Sequence, residues 1–154
     1  NMMGFYLASP RFFKPQVQTS KVESFYVESL PTDTHAFISS ITDSSSVYST
    51  KHVTIEGTTF VAGMFVCTGT HAALPEFKEI RNILLIRNNI FFLLKDYETW
   101  YIEHLRSYEL TDHKSMEGHT VKSVCQLTDQ MPHVAYKVSG KLILTTKHFI
   151  PVSE

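Results

Sequence analysis

The sequence predicts an all-β or mostly β fold. Runs rich in β-branched and aromatic residues recur along it, the composition that strands favour. Gly57, Asn88-Asn89 and Ser139-Gly140 interrupt those runs at hairpin spacing. Hydrophobic residues make up 43% of the chain and charged residues 19%. That is enough apolar material for a packed core, and too little charge for a disordered or acidic chain. A length of 154 residues suits one domain of ordinary size.

Residues 1–20 hold Pro10 and Pro15 among Phe5, Tyr6, Phe12 and Phe13. They predict an extended arm whose aromatics pack on the domain or dock on a partner. A single β-rich domain is expected over residues 21–154. Lys21 to Leu30 reads as a strand with Val22, Phe25, Val27 and Leu30 apolar, ended by Pro31. Thr34 to Ile41 is a short apolar segment, Asp43 to Ser46 a turn, and Val47 to Val53 a polar strand.

The centre of the chain is Thr54 to Leu110. Gly57 supplies a turn with positive φ there. Gly63, inside the apolar run Phe60 to Cys67, marks a bulge or a sharp bend. Thr68 to Pro75 reads as a loop. Phe77 to Ile86 and Ile90 to Leu94 are the arms of a hairpin turning at Asn88-Asn89. From Lys95 to Leu110 helical and strand spacings compete; a turn at Lys95-Asp96 and a strand through Tyr101-Ile102 are expected. Thr111 to His119 reads as a polar loop and Thr120 to Leu127 as a strand. His133 to Val138 and Lys141 to Thr145 form the last hairpin, turning at Ser139-Gly140.

Over about residues 50–110 the order is strand, glycine turn, bent strand, loop, hairpin. It resembles the small bent barrels of the Tudor and bromo-adjacent-homology type, and an OB-like barrel also fits. The resemblance implies a Tudor-like barrel core with additional N- and C-terminal strands. A second resemblance rests on Ile55 to Gly63 with Pro75 to Ile80, on His104 to Leu110, and on Thr146 to Pro151. Across roughly residues 50–151 these are similar to β-rich C-terminal domains of poorly characterised vertebrate nuclear proteins, zinc-finger or transposon-associated. Lys78 stands where those domains commonly have glycine. This resemblance implies a nuclear, non-enzymatic module and transfers no catalytic residue.

Several chemistries find little footing. Cys67 and His71 make one close pair of zinc ligands, and His113, His119 and Cys125 are spaced too widely to complete a site. No metal and no cofactor are expected. Cys67 and Cys125 sit in no nucleophile signature; free cysteines commonly pack as small apolar groups. Glu76, Glu79, Glu98, Glu103 and Glu109 are scattered singly, as on a solvated face, and no phosphate-binding glycine loop occurs. No apolar run of about 18 residues predicts a membrane span. The start has no charged leader before a long apolar core; Asn1 and the end at Glu154 read as a segment of a longer chain. Two cysteines without a disulfide framework suit an intracellular, reducing compartment.

Two residue groups point to binding. Tyr97, Trp100 and Tyr101 could wall a methylated ammonium through cation–π attraction; the plainer reading is that they are core. Lys78, Arg81, Arg87, Lys95 and Arg106 could face DNA or RNA, a use that a net charge of -1 disfavours overall and a local patch would restore. The sequence therefore predicts a non-catalytic, intracellular and nuclear interaction domain that binds a protein or peptide partner, through a groove or as an added strand. The alternatives are a nucleic-acid-binding module of a chromatin- or transposon-associated protein and a methyl-lysine reader. The nucleic-acid alternative requires Arg81, Arg87 and Arg106 to converge on one face.

Overall fold

A computed structural model of the chain describes residues 17–42, 46–112 and 119–146. Most of the expected N-terminal arm, the serine turn, most of the polar loop before His119 and the C-terminal stretch from 147 lie outside the described residues. In chain order the elements are β1 (Val17–Thr19), β2 (Glu23–Ser24), α1 (Thr32–Ile41), β3 (Val47–Thr50), β4 (His52–Ile55), β5 (Thr58–Val61), β6 (Phe65–His71) and β7 (Leu74–Ile86). They continue with β8 (Asn89–Ile102), β9 (Ser107–Asp112), β10 (His119–Ser123), β11 (Asp129–His133), β12 (Ala135–Val138) and β13 (Lys141–Leu144). The class is mostly β, as expected.

β7 and β8, of 13 and 14 residues, form one long hairpin that organises the rest. Its turn lies one residue earlier than the sequence suggests. Arg87 (φ 47°) and Asn88 (φ 64°) take the left-handed positions, and Asn89 opens β8. The Asn89 side chain donates to the Arg87 carbonyl at 3.0 Å, so it braces the turn instead of forming it. The apolar runs Ile83 to Ile86 and Phe91 to Leu94 are continuous because this part of the hairpin is covered on both faces.

On one face Ile80, Ile83, Phe92 and Leu94 pack against Val17, Val53 and Phe60 of the small sheet β1-β4-β5. The other face carries Leu84, Ile86 and Leu93 under Val27 and Ile38. Farther along lies a third cluster of Phe65, Cys67, Phe77, Leu110 and Leu144. Full burial of each large apolar side chain contributes roughly 1.5–3 kcal/mol.

Each edge of the hairpin is paired in two instalments. On β7, β6 covers Leu74 to Glu79 and β3 covers Ile83 to Ile86. The β4–β5 hairpin leaves the plane between them, turning at Glu56-Gly57, whose φ values of 49° and 85° match the turn expected there. Gly63 (φ 102°) ends this excursion as a sharp bend, and its N–H reaches the Ile80 carbonyl at 2.7 Å. The register shift opposite, between Ile80 and Asn82, puts the bulge at Arg81. On β8, β10 pairs with Phe91 to Lys95 and β9 with Tyr97 to Ile102. β13 and β12 extend the sheet beyond β9, turning at Ser139-Gly140 as expected.

Several expectations are corrected. No turn occurs at Lys95-Asp96, because β8 continues through it: Lys95 pairs with Glu79 and Asp96 with Lys78, and each side chain lies in an ion pair. Thr68 to Pro75 is a continuation of β6 and β7 around a tight turn at Ala72-Ala73 (φ 53° and 66°). Lys21 to Leu30 is strand only at Glu23–Ser24 and then a 3-10 turn, and the segment after Pro31 is helix α1. Thr34, Ile38 and Ile41 fall at helical spacing, and burying that stripe decides its conformation. β10 stops at Ser123, where a 3-10 turn follows with Ser123 and Gln126 as its capping box. The described pairings close no barrel: β11 and β12 end the main sheet without pairing to each other.

Candidate functional site

Pairing between β7 and β8 stops at Lys78–Asp96, although both strands continue. β7 carries on beside β6 as far as Leu74, and β8 carries on beside β9 as far as Ile102. The two arms diverge into a fork with a cleft of about 500 Å³ between them. Leu74, Pro75, Glu76 and Lys78 line one wall, Asp96 to Trp100 the other, and His71 and Ala72 the rim. No residue of β9 lines the cleft, so β9 covers the far edge of β8 and leaves the inner edge open. Among the described residues both inner edges present strand backbone without a strand partner, on β7 from 74 to 77 and on β8 from 97 to 102. Pro75 offers no N–H to the rim of the first.

The crotch of the fork is an ion pair. Lys78 is 8% exposed, its Nζ 3.0 Å from Asp96 Oδ1 and donating to Thr120 Oγ1 at 3.4 Å. The pair neutralises an ammonium that would otherwise lose its hydration uncompensated. Beside it, Lys95 Nζ lies 2.8 Å from Asp112 and 5.4 Å from the Tyr97 ring centroid. Thr99 in the cleft wall has a buried hydroxyl oxygen with no hydrogen-bond partner. Glu76 accepts from the Thr68 hydroxyl at 3.3 Å.

Strand alternation separates the three aromatics singled out in the sequence. Trp100 shares a face with Asp96 and Glu98, and Tyr97 and Tyr101 point the other way. The Tyr97 ring meets Phe65 edge-on at 5.1 Å, and its hydroxyl donates to Glu79 at 2.9 Å. Burial, then that hydrogen bond, pushes the Tyr97 phenol well above the usual tyrosine range. Tyr101 lies against Tyr108 at 5.4 Å and does not line the cleft. Trp100 stays 54% exposed at the mouth. Tyr97 and Trp100 thus border one cleft, and Tyr101 is elsewhere.

The five cations do not converge. Lys78 and Lys95 are tied to Asp96 and Asp112, and Arg81, at the bulge, lies 3.3 Å from Glu79. Arg87 and Arg106 occupy turns beyond opposite ends of β8, a strand whose contour is roughly 45 Å at about 3.3 Å per residue.

The sequence reading missed Asp96 as a site residue, and treated Glu76 and Glu98 as scattered surface charges. The signal available was the i, i+2 series Asp96, Glu98, Trp100, which places all three on one strand face once β8 is known to be continuous. Elsewhere Cys67 is buried, and burial pushes its thiol up, away from nucleophilic use. The neighbouring His133 Nε2 lies 3.0 Å from Asp129 Oδ2 in a buried pair on β11. Among the described residues no group of three or more His, Cys, Asp or Glu could hold a metal ion, and no helix is long and apolar enough to cross a membrane.

No family model, curated protein or solved structure matches the chain.

Proposed function

We propose that the chain is a non-catalytic interaction domain that takes an extended segment of a protein partner into the fork between β7 and β8. The observation that carries this reading is the loss of pairing beyond Lys78–Asp96, which among the described residues leaves two open strand edges facing one cleft. An open edge is a template for an added strand, with main-chain hydrogen bonds for affinity and flanking side chains for selectivity. Three of the five cations weighed for nucleic acid already lie beside carboxylates, which favours a protein partner. An intracellular setting belongs to the same proposal, supported by the free thiols Cys67 and Cys125. Its nuclear part rests on the resemblance drawn from the sequence.

Selection of displayed random peptides against the full chain, followed by amide hydrogen exchange, tests it. Selected peptides are expected to protect amides within 74–77 and 97–102. Protection confined to other strands, or failure to select any peptide, would sink the proposal.

A further inference from the structure

The fork has a chemical bias that the open edges alone do not require. We infer that it selects a segment carrying an unmodified lysine or arginine side chain, seated over Trp100 and against the carboxylates of the cleft. The inference rests on the peptide-docking reading above and names the side chain that docking prefers.

Charge comes first. Among the described residues Glu76 and Asp96 line the cleft beside one ammonium, that of Lys78, which Asp96 and Thr120 already hold. Glu76, whose printed partner is the Thr68 hydroxyl, has no described cation beside it, and a basic side chain entering the cleft meets its attraction in partly dehydrated surroundings. Trp100 comes second. A tryptophan more than half exposed beside such a cleft has ring surface available to a cation.

The third observation separates a basic side chain from its fully methylated form. A quaternary ammonium needs several ring faces around it and makes no N–H hydrogen bonds. Here the Tyr97 ring already meets Phe65 and Lys95, and Tyr101 lies outside the cleft against Tyr108. One exposed indole beside the Glu76 carboxylate suits a group that donates hydrogen bonds.

The experiment uses the isotope-labelled full chain and short threonine/valine peptides of high strand propensity. They differ only at a central lysine, norleucine or trimethyllysine, and Kd is read from amide shifts. The lysine peptide is expected to bind at least about fivefold tighter than the norleucine peptide, with the largest shifts at Glu76 and Trp100. Glu76→Gln should narrow that gap about threefold, and Trp100→Ala should do so by a similar factor, each variant keeping the dispersed spectrum of the parent. Equal binding of lysine and norleucine peptides at the fork overturns the inference and leaves strand docking intact. Tightest binding by trimethyllysine overturns it in favour of an aromatic cage. Absence of any peptide-induced shift at 74–77 and 97–102 removes the docking reading and the inference together.

Discussion

The two halves of the β7–β8 hairpin share a backbone and differ in nearly everything else. From Ile80 to Leu94 every large apolar residue is deeply buried or packed against a buried cluster, and strands flank both edges of the hairpin. Past Lys78–Asp96 the same two strands part, carboxylates replace isoleucine and leucine, and an exposed tryptophan appears. The boundary is one buried ion pair. The difference teaches that strand continuity and sheet continuity are separate decisions. The first half spends its sequence on core, and that rigidity lets the second half hold two strand edges apart without pairing them.

The largest effect expected from breaking this contrast lies in the closed half. Phe92 is fully buried with its ring 4.9 Å from Phe60, so Phe92→Ala should lower the unfolding free energy in urea by about 3–5 kcal/mol. A loss under about 1 kcal/mol would mean that the hairpin is not the core of the molecule.

The boundary comes next. Asp96→Ala leaves the Lys78 ammonium buried without its carboxylate and should cost about 2–3 kcal/mol, below the full value for a buried pair because the Asp96 side chain is 20% exposed. The double change Lys78→Met with Asp96→Leu should recover most of that loss. Failure to recover would show that the pair positions the fork beyond balancing its own charges.

In the open half the sign reverses. Thr99→Val removes a buried, unpartnered hydroxyl and should raise stability by about 1 kcal/mol. A destabilised variant would mean that this oxygen has a partner in solution.

The smallest effect is on the alkaline side. Tyr97 and Tyr108 both hold their protons more tightly in the fold than ordinary tyrosine, chiefly through burial. Near pH 10 the unfolded chain starts to release protons that the folded chain keeps. Stability from these groups is therefore complete below about pH 10 and declines as the pH rises above it. Urea midpoints measured at rising pH should fall, and Tyr97→Phe should make the fall shallower. An unchanged slope would place the Tyr97 phenol in water.

Much of the closed half was readable in the sequence. The turns at Gly57 and Ser139-Gly140 need residues that tolerate positive φ, and those residues stand there. The continuous apolar runs around the hairpin state directly that both faces are covered. α1 was not readable as helix because its stripe of Thr34, Ile38 and Ile41 is short, and only burial under the sheet selects it. Lys95-Asp96 looked like a turn because two adjacent charges normally mark solvent; their partners Asp112 and Lys78 lie 17 and 18 residues away and leave no local trace. The fork was least readable of all. It consists of hydrogen bonds that are not made, and no residue type encodes that. Tyr97 and Trp100 were flagged for their chemistry, and the carboxylates that share the cleft stood unremarkably among other surface charges.

The central position of the β7–β8 hairpin has a consequence during synthesis. β3 and β6 both lean on β7, whose own cover includes β8, so the strands made first are completed by strands made later. A ribosome adding about 5–20 residues per second needs a few seconds to pass from the end of β6 to the end of β8. Throughout that interval Phe65, Val66 and Cys67 lack β11, their second sheet neighbour, and the β8 cover of β7 is incomplete. Nascent chains halted before β8 has left the ribosome should be cut by proteases more readily than chains halted after the strands that pair with it have emerged.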